Sequence, residues 1–405
     1  GGMPPWDETV LGDVVRCAPD EVLSVTEIHD RLVDAGIEDI VPFSGASVYR
    51  IAYRTTRWEG VEGLGSARIF LPDTQHVDGI LPALIAAHGT IGLADHCAPS
   101  LYPTVSEEMI LPFVGNGFAV IAPDYAGLGT EGIQGYGDNR DTGHSVLDAG
   151  RALAGIVTSG SVADGAIVIG HSQGGGAVLS AQALSESYAD GLIRGAIAVA
   201  PGWSQDNDSL WMASHYPYLT PWAGTPAMVM TLVLYADAAN HLGPPYETLY
   251  FDPTIAEEVA EAVADQCVIG LTISLPLLAA TLGGALSEEF VDTVAACLDG
   301  EPSCGPPGEA FVQRSQDNLL SGDPGGAEIL VLAELLDESS TPAKVACIVE
   351  SLEDDGAPLQ ACTDAGAEHM DLPARRASFA LDWATALARE EPAPPCAESD
   401  LPACE

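Results

Sequence analysis

The pentapeptide Gly170-His171-Ser172-Gln173-Gly174 follows the apolar run Ala166 to Ile169 and precedes the small-residue stretch Gly175 to Leu184. That context predicts a strand, a sharp turn and a helix. A serine at such a turn is held in a strained backbone conformation with its hydroxyl raised above the sheet, and the glycines beside it are needed because a Cβ would strike the neighbouring elements. A plain Gly-rich turn with a surface serine is the competing reading in a chain with 43 glycines. What separates the two is whether the rest of the chain supplies partners. A serine hydroxyl attacks an acyl carbonyl only when a histidine takes its proton and a carboxylate orients that histidine and stabilises its charge.

In a sheet-top arrangement of this kind the partners follow the serine in the order acid, then base. Downstream of Ser172 the chain holds only His215, His241 and His369. The first two fall in a region that breaks the strand–helix alternation, whereas His369 lies in a loop between the last expected strand and the last expected helix. His369 is therefore the expected base. For the acid, the loop after the strand Glu328 to Ala333 offers Glu334, Asp337 and Glu338. Asp337 precedes a Ser-Ser-Thr-Pro turn and stands 32 positions before His369, room for one crossover helix and a short strand, so it is preferred, with Glu334 as the alternative. Two backbone N–H groups must also converge on the oxyanion. The residue after the nucleophile, Gln173, supplies one; Thr90, or Gly89, in Ala87-His88-Gly89-Thr90 at the end of an earlier strand supplies the other. His88 is expected to be structural.

The elements that must position these groups follow a regular scheme. Pro19 to Ala35 reads as helix, Ser47 to Trp58 alternates as a strand, and Ala67 to Leu71 is its antiparallel partner. Short apolar runs at Ala83 to Ala87, Ala119 to Ala122, Ala166 to Ile169 and Ala196 to Ala200 then alternate with helical segments such as Val146 to Thr158. The pattern predicts an α/β fold with a mostly parallel central sheet and helices on both faces. After Pro201 the scheme changes: Trp203 to Trp222 is rich in aromatics and turn formers, and Ile255 to Val263, Leu271 to Leu282 and Glu288 to Leu298 read as helices with no strand between them. Residues 201–325 are thus expected to be a helical insertion between an N-terminal core segment, 1–200, and a C-terminal one, 326–405. The latter holds the strand Glu328 to Ala333, the helix Pro342 to Glu353, the strand Leu359 to Thr363 and the helix Leu372 to Arg389.

Composition narrows the partners. With 14 Lys+Arg against 59 Asp+Glu the formal charge is -45, and Lys344 is the only lysine. Nucleic acid and anionic membranes are poor partners for such a surface. A carboxylate-rich, lysine-poor chain suits high salt, where counterions screen self-repulsion. The most apolar stretch, Val268 to Leu286, is broken by Pro276 and Gly283-Gly284 and reads as a helical pair, not a membrane span. Nine cysteines, several closely spaced, point to disulfides and an oxidising compartment. Spacing suggests Cys297 with Cys304, Cys347 with Cys362, and Cys396 with Cys404. Cys17 is the expected odd thiol, unless it takes a partner assigned elsewhere. No CxxC pair or His/Cys cluster calls for zinc, and no cofactor is expected.

A family resemblance joins these motifs. His88-Gly89-Thr90 followed by Asp95-His96-Cys97-Ala98-Pro99-Ser100, then Pro123-Asp124-Tyr125-Ala126-Gly127-Leu128-Gly129, the elbow at 170–174, Leu184-Ser185-Glu186-Ser187-Tyr188-Ala189, Asp337 before its turn and Ala367-Glu368-His369 resemble the secretory lipases of the Candida antarctica lipase A type, within the α/β-hydrolases. The resemblance spans residues 85 to 370. It implies Ser172 as nucleophile, Asp337 as acid, His369 as base, and Gln173 and Thr90 at the oxyanion. It also implies that 201–325 caps the site and that Cys97 pairs with Cys267. The tail after His369 is short beside members carrying a C-terminal flap, and the cap sequence is divergent, so acyl-chain preference does not carry over. The expected protein is a secreted, monomeric carboxylic-ester hydrolase whose substrates range over lipids, short-chain esters and polyesters, with Trp203, Trp211 and Tyr125 as substrate contacts. A prolyl-oligopeptidase-type peptidase uses the same triad, but the 40-to-50-residue repeat of its propeller is missing. A non-catalytic secreted binding module would have no need of Ser172, Asp337 and His369 in this order.

Overall fold

The structure is a computed structural model and describes residues 10–74, 81–102, 105–157, 162–203, 221, 225–243, 248–300, 304–396 and 401–404. Among the described residues nine strands form one sheet: β1 (Val14–Leu23), β2 (Ala46–Thr56), β3 (Glu62–Pro72), β4 (Leu81–Ala87), β5 (Ala119–Pro123), β6 (Val162–His171), β7 (Ile193–Val199), β8 (Glu328–Glu334) and β9 (Leu359–Asp364). Their spatial order is β1-β2-β3-β5-β4-β6-β7-β8-β9. The first three strands and the β3–β5 pair are antiparallel; every pair from β5–β4 onward is parallel. This is the α/β-hydrolase arrangement.

Strand alternation divides the core. In β4, Ala83, Ile85 and Ala87 enter one apolar cluster while Leu84 and Ala86 enter the other; in β6, Ala166 and Val168 part from Ile167 and Ile169 in the same way. Successive side chains point to opposite faces, so a strand apolar at every position must be covered on both. The covers are α1 (Val25–Asp34), α2 (Glu107–Val114), α3 (Asn139–Ile156), α4 (Gln173–Ala189), α10 (Pro342–Asp354) and α11 (Ala377–Ala388). Between β7 and β8, neighbours in the sheet, the described chain forms α5 (Thr225–Asp237), α6 (Ala256–Asp265), α7 (Val268–Leu278), α8 (Glu288–Leu298) and α9 (Gly308–Asp317) around a third apolar cluster that also takes in Leu93 and Tyr136. Among the described residues of this insertion the only β pairing is two isolated bridges, Pro221 with Thr281 and Phe251 with Leu286.

Two expected helices are redrawn. Pro19 to Leu23 belongs to β1, an edge strand whose alternation is blurred by Asp20 and Glu21, both paired with Arg68, and α1 begins only after its cap Ser24, whose side chain accepts from the Glu27 amide while the Glu27 carboxylate accepts from the Ser24 amide. Leu372 to Arg389 divides into a single turn, Leu372–Arg375, and α11.

The disulfides also depart from local spacing. Cys97 is bonded to Cys267 and Cys297 to Cys304, but Cys347 joins Cys404 and Cys362 joins Cys396, in place of 347–362 and 396–404. The reason is that the tail doubles back along β9, where Gln360 Nε2 donates to the Pro394 carbonyl at 3.3 Å, so each late cysteine meets a core cysteine before a nearby one. Cys17 is unpaired and exposed. Among the described residues no helix is long and apolar enough to cross a membrane.

Candidate active site

Ser172 stands between the end of β6 and the start of α4 with φ 57° and ψ -117°, a conformation outside the ordinary regions for a residue bearing a side chain. The backbone on either side fixes it. Its N–H donates to the Val199 carbonyl at 2.9 Å, and its carbonyl accepts from Gly202 at 2.9 Å and Gly176 at 3.1 Å. Close approach explains the glycine at 174, where a Cβ would lie 2.1 Å from the Ala87 carbonyl oxygen at the end of β4. The serine is thus clamped between β4 and β7, with its hydroxyl above the sheet.

The hydroxyl meets an imidazole from the far end of the chain. His369 Nε2 lies 3.0 Å from Ser172 Oγ, and His369 Nδ1 lies 2.7 Å from Asp337 Oδ2. Asp337 follows β8, its side chain is fully buried, and its Oδ1 accepts from the Ser339 and Ser340 amides at 2.6 and 2.9 Å. Burial opposes its ionisation, yet the hydrogen bond and charge of His369, the neighbouring Glu334 carboxyl and the Ser339 amide outweigh that and hold the carboxyl at about 2. Of the two acids weighed from sequence, Asp337 is the one at hydrogen-bond distance from the ring. Glu334 Oε1 lies 3.7 Å from the same nitrogen. One donor atom from each of Glu334, Asp337 and His369 lies within 4.8 Å of the others, a set that could receive a metal ion, but the 2.7 Å Nδ1–Oδ2 contact is that of a charge-assisted hydrogen bond. The His171 ring packs against His369 at 4.6 Å between centroids; burial, and then the charge of His369, lower its pKa to about 4, so it packs there as a neutral ring.

On the opposite side, the loop after β4 runs beside the nucleophile. A Cβ on Gly89 would lie 3.7 Å from Ser172 Cβ. Thr90 Oγ1 is 2.6 Å from Tyr136 Oη, a partner that its local sequence did not single out. Gln173 is the first residue of α4, and helix geometry leaves its N–H without an intrahelical acceptor. His88, as expected, is scaffold: it is buried, its ring faces the Gly89 and Asp124 carbonyls, and burial lowers its pKa to about 4.

The expected substrate contacts fare differently. Tyr125 is buried, donates to the His88 carbonyl at 2.8 Å and packs against the His88 ring, so it supports the loop from behind. Trp203 is likewise in the core, its Nε1 donating to Ser180 Oγ at 3.1 Å. Both have their polar ends satisfied inside the protein. Trp211 lies outside the described residues.

The insertion is fastened to this same loop. Val268 N–H donates to the Ile91 carbonyl at 2.9 Å, the Cys97–Cys267 bond lies alongside, and a Cβ on Gly92 would lie 3.1 Å from Cys267 Cα.

Residues 101–203, which include β5, β6, the elbow and α4, match the model of the secretory lipase family. The resemblance read from the sequence is borne out there. No curated protein matches the chain in sequence. Among solved structures, a putative hydrolase from Legionella pneumophila superposes with a TM-score of 0.74 at 15% identity, covering 94% of this chain and 100% of that one. The rice cell wall degrading esterase LipA from Xanthomonas oryzae gives 0.71 at 14% identity over 94% and 97%. Candida antarctica lipase A in its closed state gives 0.70 at 15% identity over 97% and 87%. At such identities these likenesses establish the shared fold.

Proposed function

We propose that the chain is a secreted serine carboxylic-ester hydrolase, a lipase or esterase, working through an acyl-enzyme on Ser172. The observation that carries this is the unbroken contact path from Asp337 through His369 to a serine held at positive φ on a strand–helix elbow. His369 Nε2 takes the Ser172 proton as Oγ attacks the ester carbonyl, while the Nδ1–H donates to Asp337 and keeps the ring in the required tautomer. The Gln173 and Thr90 amides, with Gly89 beside them, receive the oxyanion. His369 then protonates the departing alkoxide, and water enters by the same route to release the acid. Residues 201–325 serve as a cap over the site. Leu336 and Met370, exposed chain neighbours of the acid and the base, offer apolar surface to an acyl group. The secretory-family match and the four disulfides support export.

Ser172→Ala is expected to lower p-nitrophenyl butyrate hydrolysis by about 10³-fold or more with an unchanged circular dichroism spectrum, and to abolish labelling by a fluorophosphonate. A variant as active as the parent would refute the assignment. Rates along p-nitrophenyl esters from acetate to palmitate, with a solid polyester film, rank the acyl classes. Turnover of a dipeptidyl anilide without ester turnover would move the reading to a peptidase.

A further inference from the structure

The site contains one carboxyl group more than the mechanism uses. Glu334 closes β8, three residues before Asp337, and its side chain is fully buried. Neither of its oxygens has a geometrically satisfactory hydrogen-bond partner among the described residues, although Oε1 is 3.7 Å from His369 Nδ1 and the carboxyl lies against that of Asp337. The nearest charges are unfavourable to a second anion. Asp337 and Asp371 both repel it, and its register partner on β9, Asp364, is occupied by Arg375 and Arg376. The remaining titratable neighbours are His369 itself and, behind it, the neutral His171.

We propose that Glu334 is a positioning residue: it stands as a neutral acid beside Asp337, donates its proton to that carboxylate, and so fixes which Asp337 oxygen faces His369. The inference rests on the hydrolase reading of the site. Two buried carboxyls in contact, with one imidazole between them and solvent excluded, cannot both ionise near neutrality; one keeps the shared proton. Asp337 has the two serine amides and the ring N–H to stabilise its charge, and Glu334 has none of these. Glu334 is therefore the acid that stays protonated. Burial first, then the adjoining Asp337 carboxyl and the charges of Asp337 and Asp371, push it up to about 9. Once ionised it would compete with Asp337 for the Nδ1 proton from about 1 Å farther away and turn the ring from Ser172.

The test is the pH profile of kcat and KM for parent, Glu334→Gln and Glu334→Leu on p-nitrophenyl butyrate, after subtraction of spontaneous hydrolysis. The parent is expected to lose kcat reversibly along an alkaline limb with a midpoint near 9. Glu334→Gln keeps a neutral donor, so it should hold kcat within about twofold at pH 7 and lack that limb. Glu334→Leu, without a donor, should lose about tenfold in kcat with KM little changed. A limb retained in Glu334→Gln, a parent profile flat to pH 10, or a large loss in Glu334→Gln at pH 7 would each overturn the proposal; Glu334→Gln decides it if Glu334→Leu does not fold. Undiminished activity in Ser172→Ala would instead mean that the hydrolase reading itself had failed.

Discussion

A neutral acid lodged beside an ionised one ties the chemistry of single residues to the stability of the fold. The carboxyl of Glu334 binds its proton more tightly in the native protein than in the unfolded chain, where it returns to 4.5, so between that value and about 9 the native state carries the extra proton and stability falls as pH rises. Asp337 has the opposite sign. Its native value of about 2 lies below 3.8, so its contribution is complete above the unfolded value and is lost only as pH falls toward 2. Melting temperatures of the parent and Glu334→Gln between pH 5 and 9 should therefore diverge, the parent losing ground as pH increases; a parent that gained on the variant would show Glu334 to be anionic. At this scale the sequence was partly transparent. Ser172, Asp337 and His369 could be ordered along the chain because each loop has one place in the alternation. Glu334 entered only as a rival acid, since spacing cannot tell a carboxylate that faces a ring from one that faces another carboxylate. Nor does a sequence reveal that a carbonyl and a hydroxyl inside the core satisfy the polar ends of Tyr125 and Trp203.

Elements transmit the state of the insertion to the reacting groups. The loop that presents Gly89 and Thr90 is tied to the start of α7 by the Val268–Ile91 hydrogen bond and by Cys97–Cys267, a closure of 170 residues. Chain-entropy arguments put the stabilisation by such a bridge at roughly 5 kcal/mol as an upper value. Cys97→Ser/Cys267→Ser should therefore lower both the melting temperature and kcat, because freeing α7 also frees the Thr90 amide; denaturation curves with matched ester kinetics would check this, and an unchanged kcat beside a lowered melting temperature would show that the loop holds its shape unaided. The strands and the late helices were legible because apolar runs of four to seven residues between turn signals leave few alternatives. β1, α2 and α5 were not. β1 is an exposed edge, α2 contains Pro112, and α5 is apolar on nearly every side, so none shows a clean period. Disulfide pairing was misread for the tail because chain proximity was used where spatial proximity governs.

Across the whole molecule charge dominates. Among the described residues arginines are committed to local pairs, Arg31 with Glu21 and Glu107, Arg57 with Asp141, Arg68 with Asp20 and Glu21, Arg314 with Asp237, and across the sequence 59 acidic side chains far outnumber 14 Lys+Arg. Mutual repulsion at a formal charge of -45 is screened over about 30 Å at 0.01 M salt and about 3 Å at 1 M. The melting temperature should rise across that range of NaCl, and a flat response would show that the surface carboxylates are too far apart to oppose folding. The same anionic surface discourages two copies from approaching, but it does not protect every part of the molecule equally. At the β9 end of the sheet the open hydrogen-bonding row is overlaid by the Pro-rich tail, latched at Cys362–Cys396 and Cys347–Cys404. Thiol reductants would release those latches while leaving the shell of charge untouched, and are expected to bare a template onto which a second chain could add a strand, an outcome that light scattering with and without reductant would register.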